Sequence, residues 1–413
     1  MTNAANTPDT LSNQPAAGQF PHAVLAQGNH DEHARQSYIS DLRMHILGDI
    51  GLGMERVYES RVKPAFEREH RRPPRDEHEV RRAMMGDPYA KVWSSMIRSC
   101  QEMIWDSVIP SIERAQPDLN ARVKSLIQHG TKARQGSLSL DPSVKVPRYL
   151  TASDIHLMPG NYHTEWAEGD VSQAALFDRG LYVYQAGLAG PTCDGNGRTI
   201  AELVRRRWPQ FKPKAILDLG CTVGNNTLPH KHVFPEAKLH AIDVATPALR
   251  YAHARAESLG TAVHFHQMDA EKMSFDDNSF DLVVSCILFH ETSRTALENI
   301  YAECHRVLRP GGLMLHMETP RAKGLTPFQA FHMNWDAHYN NEPFMQAWTN
   351  TDTDQTAVAA GFSPDKIVNV VVPDFYAAGE PAFTAAATGA HKKSDGVARW
   401  GETIEWFMYG AWK

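Results

Sequence analysis

One stretch constrains the fold more than any other: Ala215-Ile216-Leu217-Asp218-Leu219-Gly220-Cys221-Thr222-Val223-Gly224-Asn225-Asn226-Thr227. It reads as a short buried strand that breaks into a glycine-punctuated turn and then opens a helix. Such a turn leaves backbone N–H groups and a helix N-terminus beside one carboxylate, Asp218, at the edge where open α/β sheets bind ligands. Four apolar runs follow, at 238–244, 262–268, 280–289 and 312–318, with helical patterns over 247–259 and 292–308. Strands alternating with helices of this length predict right-handed βαβ units and a mostly parallel sheet. Several strands end in a polar or acidic residue: Asp218, Asp243, Asp269 and the segment Ser285 to Glu291. One acid at a strand end is an ordinary cap; a succession of them on one edge predicts a site.

Over roughly residues 211–320 these motifs resemble the class I methyltransferase family, in the branch similar to the ubiquinone and menaquinone C-methyltransferases. Its first motif matches Asp218-Leu219-Gly220-Cys221-Thr222-Val223-Gly224, with Thr222 where the family has its middle glycine. The resemblance implies a Rossmann-like sheet with an antiparallel last strand, here 405–412, and S-adenosyl-L-methionine as cofactor. It implies that Asp218, Gly220, Cys221, Thr222, Gly224 and Asn226 wrap the methionine part. Asp243, beside Val244, would take the ribose hydroxyls, Asp269 and Ala270 would meet the adenine, and Ser285 belongs to the fourth motif. A dinucleotide site is the rival reading, but it needs G-x-G-x-x-G. This turn has only Gly220 and Gly224.

Composition agrees with a globular enzyme: 42% hydrophobic, 22% charged, formal net charge −6 over 413 residues. That charge gives no pull toward nucleic acid, and no apolar run reaches the roughly 18 residues of a membrane span. Five cysteines without C-x-x-C spacing indicate neither a disulfide framework nor a zinc knuckle, so the cytoplasm is expected.

The division expected is a disordered tail over 1–36, an α-helical N-terminal domain over 37–135, a linker and lid over 136–210, and the cofactor domain over 211–413. Asp87-Pro88 is a helix start, and two stripes follow it: Val92, Met96, Met103 and Trp93, Ile97, Ile104, Val108. The helical domain is either a dimerisation element or a substrate cap. Residues 136–148 read as a linker and 375–399 as a mobile loop.

The resemblance also implies that the residues before the first strand form a lid over cofactor and substrate; by position Tyr162, expected to bind the cofactor, and His163 lie in it, with Tyr182 and Tyr184 more suited to packing. His290 and Glu291, after the fourth strand of the motif, sit where the family faces the transferable methyl. His290, Glu291 and His163 are therefore the expected catalytic residues. His156, His163, His290 and Glu291 could converge, but their spacing matches no ligand motif such as H-E-x-x-H, and no metal is expected. An aromatic insertion over 321–350 suits a substrate wall or a helical core stripe. The function expected is methyl transfer to a small molecule by in-line displacement. A tRNA or protein methyltransferase, or a non-catalytic cofactor-binding module, is the alternative.

Overall fold

The computed structural model describes residues 18–129, 136–389 and 405–413. Five N-terminal helices come first: α1 (His30–His45), α2 (Gly51–Val57), α3 (Lys63–His70), α4 (Glu77–Met84) and α5 (Pro88–His129). A reciprocal capping box opens α1: the Glu32 N–H donates to the Asn29 side chain, and the Asn29 N–H donates to the Glu32 carboxylate. That start lies inside the segment expected to be a tail. Upstream of it, Gln19 and His22 reach the buried Asp178 carboxylate at 3.1 and 2.9 Å. Asp178 also takes the Tyr251 hydroxyl at 2.7 Å. Burial works against its charge, but Arg255, His22 and Tyr251 hold it well below the usual carboxylate range. Gln19 and His22 thus fasten the segment before α1 to Asp178, a buried polar anchor that Tyr251 of the cofactor domain shares; 1–17 lie outside the described residues.

Helix α5 runs for 42 residues and contains Pro110 and Pro117. Of the two stripes expected on it, Trp93, Ile97, Ile104 and Val108 are fully buried, whereas Val92 is exposed. After α6 (Arg148–Thr151) comes α7 (Ser172–Tyr184), which the buried stripe meets to one side, with the cofactor domain beyond. Tyr251, Ala254 and Trp335 belong to the same apolar cluster as these N-terminal helices.

The cofactor domain follows with α8 (Gly195–Arg207), α9 (Leu228–Val233), α10 (Thr246–Ser258), α11 (Arg294–Val307), α12 (Pro327–Tyr339), α13 (Met345–Thr349), α14 (Thr353–Ala359) and α15 (Phe375–Ala387). Its strands are β1 (Ser137–Ser139), β2 (Ala215–Leu219), β3 (Lys238–Asp243), β4 (His264–Gln267), β5 (Phe280–Cys286), β6 (Leu308–Glu318), β7 (Ile367–Pro373) and β8 (Glu405–Trp412). They form one sheet in the order β1-β4-β3-β2-β5-β6-β8-β7. Pairing is parallel from β1 to β6, while β8 runs antiparallel to both β6 and β7. Apolar clusters cover both faces, as the near-continuous hydrophobic strands require.

Two expectations are corrected here. The linker contains β1, which adds a parallel edge to β4 through Ser137↔His264 and Ser139↔His266. The supposed mobile loop begins with α15, kinked at Gly379 (φ 73°); its stretch from 390 to 399 lies outside the described residues. The aromatic insertion packs as a core stripe on the N-terminal helices: Phe328 stacks on Tyr58 at 4.7 Å, and the Trp335 indole donates to Ser94 Oγ at 2.9 Å.

Candidate functional site

β2 pairs with β3 on one side and β5 on the other, so the strand order reverses at its C-terminal end, where the crevice of a doubly wound sheet opens. There Gly220 (φ 65°), Thr222 (φ 45°) and Gly224 (φ 74°) take left-handed backbone. At Gly220 a Cβ would come 2.7 Å from Leu288 Cδ1. Two bonds fasten the turn to β3: the Cys221 N–H donates to the Ile242 carbonyl at 3.0 Å, and the Thr222 N–H to Asp243 Oδ2 at 2.9 Å. The other Asp243 oxygen accepts the Ala245 N–H at 2.9 Å. Asp218, beneath the turn, accepts the Thr227 hydroxyl.

Both acids are buried. Burial pushes Asp218 up to about 7, against the Thr227 hydroxyl and with help from the Asp243 charge. Burial likewise raises Asp243, although three backbone N–H groups oppose it. Neither has an ion-pair partner among the described residues. Two desolvated carboxylates at adjacent strand ends, short of positive charge, fit a ligand that brings an ammonium and hydroxyls.

Asp269, half-buried, accepts the Glu271 N–H at 2.9 Å. Burial raises the Tyr149 hydroxyl, and the charges of Glu271, Asp269 and Asp243 push it further. Tyr149 therefore stands at this acidic edge, on α6, a position that no motif in the sequence singled out. Other expected residues build the turn from behind. Asn226 accepts the Gly197 N–H at 3.0 Å and locks the start of α8, where a Cβ on Gly197 would lie 2.1 Å from the Asn226 carbonyl. Val244 accepts Gln267 Nε2 on its carbonyl, and Ala270 packs on the core beside β5. Ser285 corrects its expectation: fully buried, its hydroxyl pairs with His316 Nδ1 at 2.8 Å inside the sheet.

Beyond β5 lies a second polar cluster. His290 and Glu291, in the turn Phe289–Glu291, meet His156 from the turn Ile155–Leu157. His156 Nε2 is 2.8 Å from Glu291 Oε1, and His290 Nε2 is 3.6 Å from the same oxygen. His290 Nδ1 is 2.7 Å from Glu318 Oε2, at the end of β6, whose other oxygen accepts the Phe289 N–H. Glu342, from the insertion, comes within 3.3 Å of His156 Nδ1, off line for a hydrogen bond. Tyr162 donates to Glu291 Oε1 at 3.4 Å. Glu291 Oε2 is buried without a hydrogen-bond partner among the described residues.

Burial alone would depress both histidines. The Glu318, Glu291 and Glu342 charges override it, lifting His290 to about 9, and Glu291 with Glu342 raises His156. His156 holds left-handed backbone (φ 56°), as does Leu157, and its carbonyl is pinned by Gln101 Nε2 at 2.8 Å and Trp105 Nε1 at 2.7 Å. Both donors come from α5, so the N-terminal helices roof this cluster. His163 does not join it: its ring bonds the Leu150 backbone, and burial lowers it. Tyr184, edge-on to His156 at 6.0 Å, carries Arg43 on its face.

Comparison with known proteins agrees with the edge. A family profile described as a methyltransferase domain matches residues 216–312. Demethylmenaquinone methyltransferase of Thermus thermophilus is 37% identical over 108 residues, 26% of this chain and 48% of that protein. The ubiquinone/menaquinone biosynthesis C-methyltransferase of Psychromonas ingrahamii is 29% identical over 142 residues, 31% of this chain and 56% of that one. The chain thus spans about half the length of these curated relatives. Among solved structures, phosphoethanolamine N-methyltransferase 2 of Haemonchus contortus aligns with a TM-score of 0.39 and 19% identity, covering 57% of each chain. With the reversed strand order, the antiparallel β8 and the acids at the ends of β2 and β3, the methyltransferase domain matched over residues 216–312 is similar to the class I S-adenosylmethionine-dependent methyltransferases, the ubiquinone and menaquinone C-methyltransferases among them.

Proposed function

We propose that this chain transfers a methyl group from S-adenosylmethionine to a small-molecule acceptor held beside Tyr162 and the 290–291 turn. The cofactor supplies an electrophilic methyl on a sulfonium. The chain's own residues supply binding and alignment, which are the main requirement of an in-line displacement. Asp218 takes the cofactor's ammonium end and Asp243 the ribose hydroxyls, each replacing lost hydration with a charge-assisted contact. Asp269 and Tyr149 border the adenine side. His290 and Glu291 face the acceptor and fix its orientation, with Glu318 holding His290 in place.

The observation that carries the acceptor class is the enclosure of this cluster. Glu291 and Glu342 are buried and Tyr162 half-buried beneath α5, the 155–163 segment and the insertion, all from this chain. Such walls suit a molecule that is itself surrounded, not a strand of RNA laid on a surface.

Calorimetric titration with S-adenosylmethionine and S-adenosylhomocysteine, with NADH as control, tests the cofactor half. Binding of the sulfur ligands alone is expected. Transfer of labelled methyl to a panel of phenols, enols and amines tests the acceptor half. Methylation of RNA, with salt-sensitive RNA binding, would replace the small-molecule reading with the tRNA one.

A further inference from the structure

We propose that His156, His290 and Glu291 bind a divalent first-row transition metal, of the Zn2+ or Fe2+ kind, with Glu318 and Glu342 as its outer carboxylates. One donor atom from each of the three lies within 4.8 Å of the others. An ion at roughly 2.0–2.2 Å from N and O donors needs those donors about 3–4 Å apart. The 2.8 Å and 3.6 Å separations on Glu291 Oε1 bracket that need with little movement.

The surroundings are arranged as a ligand set requires. Glu318, 2.7 Å from Nδ1 of His290, accepts a hydrogen bond from that nitrogen's N–H and leaves the Nε2 lone pair for the centre. A carboxylate behind a ligating imidazole is the usual outer support of such sites. Glu342 comes within 3.3 Å of Nδ1 of His156, near enough to support that ring by charge but off line for a hydrogen bond. Glu291 Oε2 is buried without a partner, on a residue only 6% exposed. An unsatisfied buried carboxylate oxygen calls for a cation or a donor that protein atoms do not provide.

Charge points the same way. Three carboxylates, Glu291, Glu318 and Glu342, crowd two imidazoles, so acidic groups outnumber the basic ones and a dication suits the cluster. The backbone adds an independent sign. His156 is a non-glycine residue at φ 56°, held there by two donors on its carbonyl, and strain of this kind collects where a side chain must be aimed. Two imidazoles and one carboxylate select Zn2+, Fe2+ or Co2+ over Mg2+ or Ca2+, which prefer all-oxygen shells. Three protein donors leave positions open. That an acceptor oxygen fills one of them rests on the methyl-transfer reading; the metal site itself does not.

The test is a Co2+ titration of the full chain after chelator treatment, followed by visible absorption and elemental analysis. One Co2+ per chain is expected, with the d–d bands of a low-coordinate nitrogen/oxygen site. Glu291→Gln and His156→Gln should each abolish stoichiometric binding while keeping the wild-type circular dichroism spectrum. Glu318→Gln should weaken it about 10–100-fold. The double variant His240→Gln/His266→Gln is the control: His240 Nδ1 lies 3.0 Å from His266 Nε2, so this pair is the competing histidine cluster. Binding that follows the control pair, or a wild-type chain without those bands, overturns the proposal in favour of a metal-free ion-pair network. Calorimetry with S-adenosylhomocysteine on the same metal-stripped chain reads the methyltransferase assignment separately.

Discussion

At the β2–β3 edge, the hydrogen bonds that fasten the cofactor turn to its own strands come from residues 218–245: Cys221 to Ile242, Thr222 and Ala245 to Asp243, Thr227 to Asp218. The cluster around Glu291 instead draws His156, Tyr162, His290, Glu318 and Glu342 from four separate segments, with α5 holding the first. A turn whose parts are neighbours in sequence is fixed by its own backbone and tolerates different surroundings. A cluster gathered from distant segments exists only when the whole fold does, and each member is left buried and charged if another is removed. The first arrangement suits a cofactor common to many enzymes, and the second an acceptor site particular to one.

The largest expected effect tests that dependence. Glu318→Ala leaves His290 without its carboxylate and the Phe289 N–H without its acceptor, both buried. Breaking a buried pair costs about 3–5 kcal/mol. Urea unfolding should show a loss of that size. A loss under about 1 kcal/mol, the scale of an exposed pair, would mean the cluster is not assembled as described.

The cofactor edge should respond to pH instead. Asp218 titrates at about 7 in the folded chain against 3.8 for an ordinary Asp. Its folded value is raised, so between about pH 4 and 7 the unfolded chain has lost a proton that the folded chain keeps. Stability from this group therefore falls as pH rises through that window, on the order of 1 kcal/mol per unit. Thermal melting should show a shallower slope for Asp218→Asn than for the original chain. Equal slopes would assign the carboxylate no burial penalty and remove its reason to seek an ammonium.

Next in size is a pair of substitutions aimed at each region. Asp243→Ala should weaken S-adenosylhomocysteine binding by roughly 1–3 kcal/mol, the value of hydrogen bonds to a charged group. Glu291→Gln should leave that affinity unchanged and abolish turnover. If Asp243→Ala kept full affinity, the ribose assignment would fail; if Glu291→Gln weakened cofactor binding equally, the two regions would be one site.

Legibility in the sequence follows the same divide. The strands at Asp218 and Asp243 and the helix after Asp87-Pro88 were readable because apolar period, cap chemistry and turn glycines are local signals, whereas the antiparallel course of β8 came only with the family resemblance. Ser137–Ser139 was not: three residues with two serines carry no period, and only pairing with β4 makes them a strand. Gly379 and Pro381 disguised α15, which kinks there and continues. His290 and Glu291 were placed by motif position, yet nothing in the sequence pairs them with His156 across 134 residues of chain. His163 looked equally suited in sequence, seven residues away. Only the left-handed turn at 156–157 decides which histidine faces Glu291.

The smallest effect concerns Thr222, where the family's turn has glycine. A β-branched residue at φ 45° is strained, because Cβ crowds the following carbonyl by about 1–2 kcal/mol. Glycine would relieve that strain but give the unfolded chain more freedom, at about 0.4–1 kcal/mol. The two effects nearly cancel, so Thr222→Gly should change stability by less than about 1 kcal/mol. Cofactor affinity should hold as well, because the contact that matters is the backbone N–H on Asp243, which any residue but proline provides. Thr222→Pro removes that N–H and cannot adopt a positive φ, so it should lose affinity at least as far as Asp243→Ala does. A glycine variant that bound the cofactor much more tightly would show that the threonine side chain, not its backbone, sets the geometry of the turn.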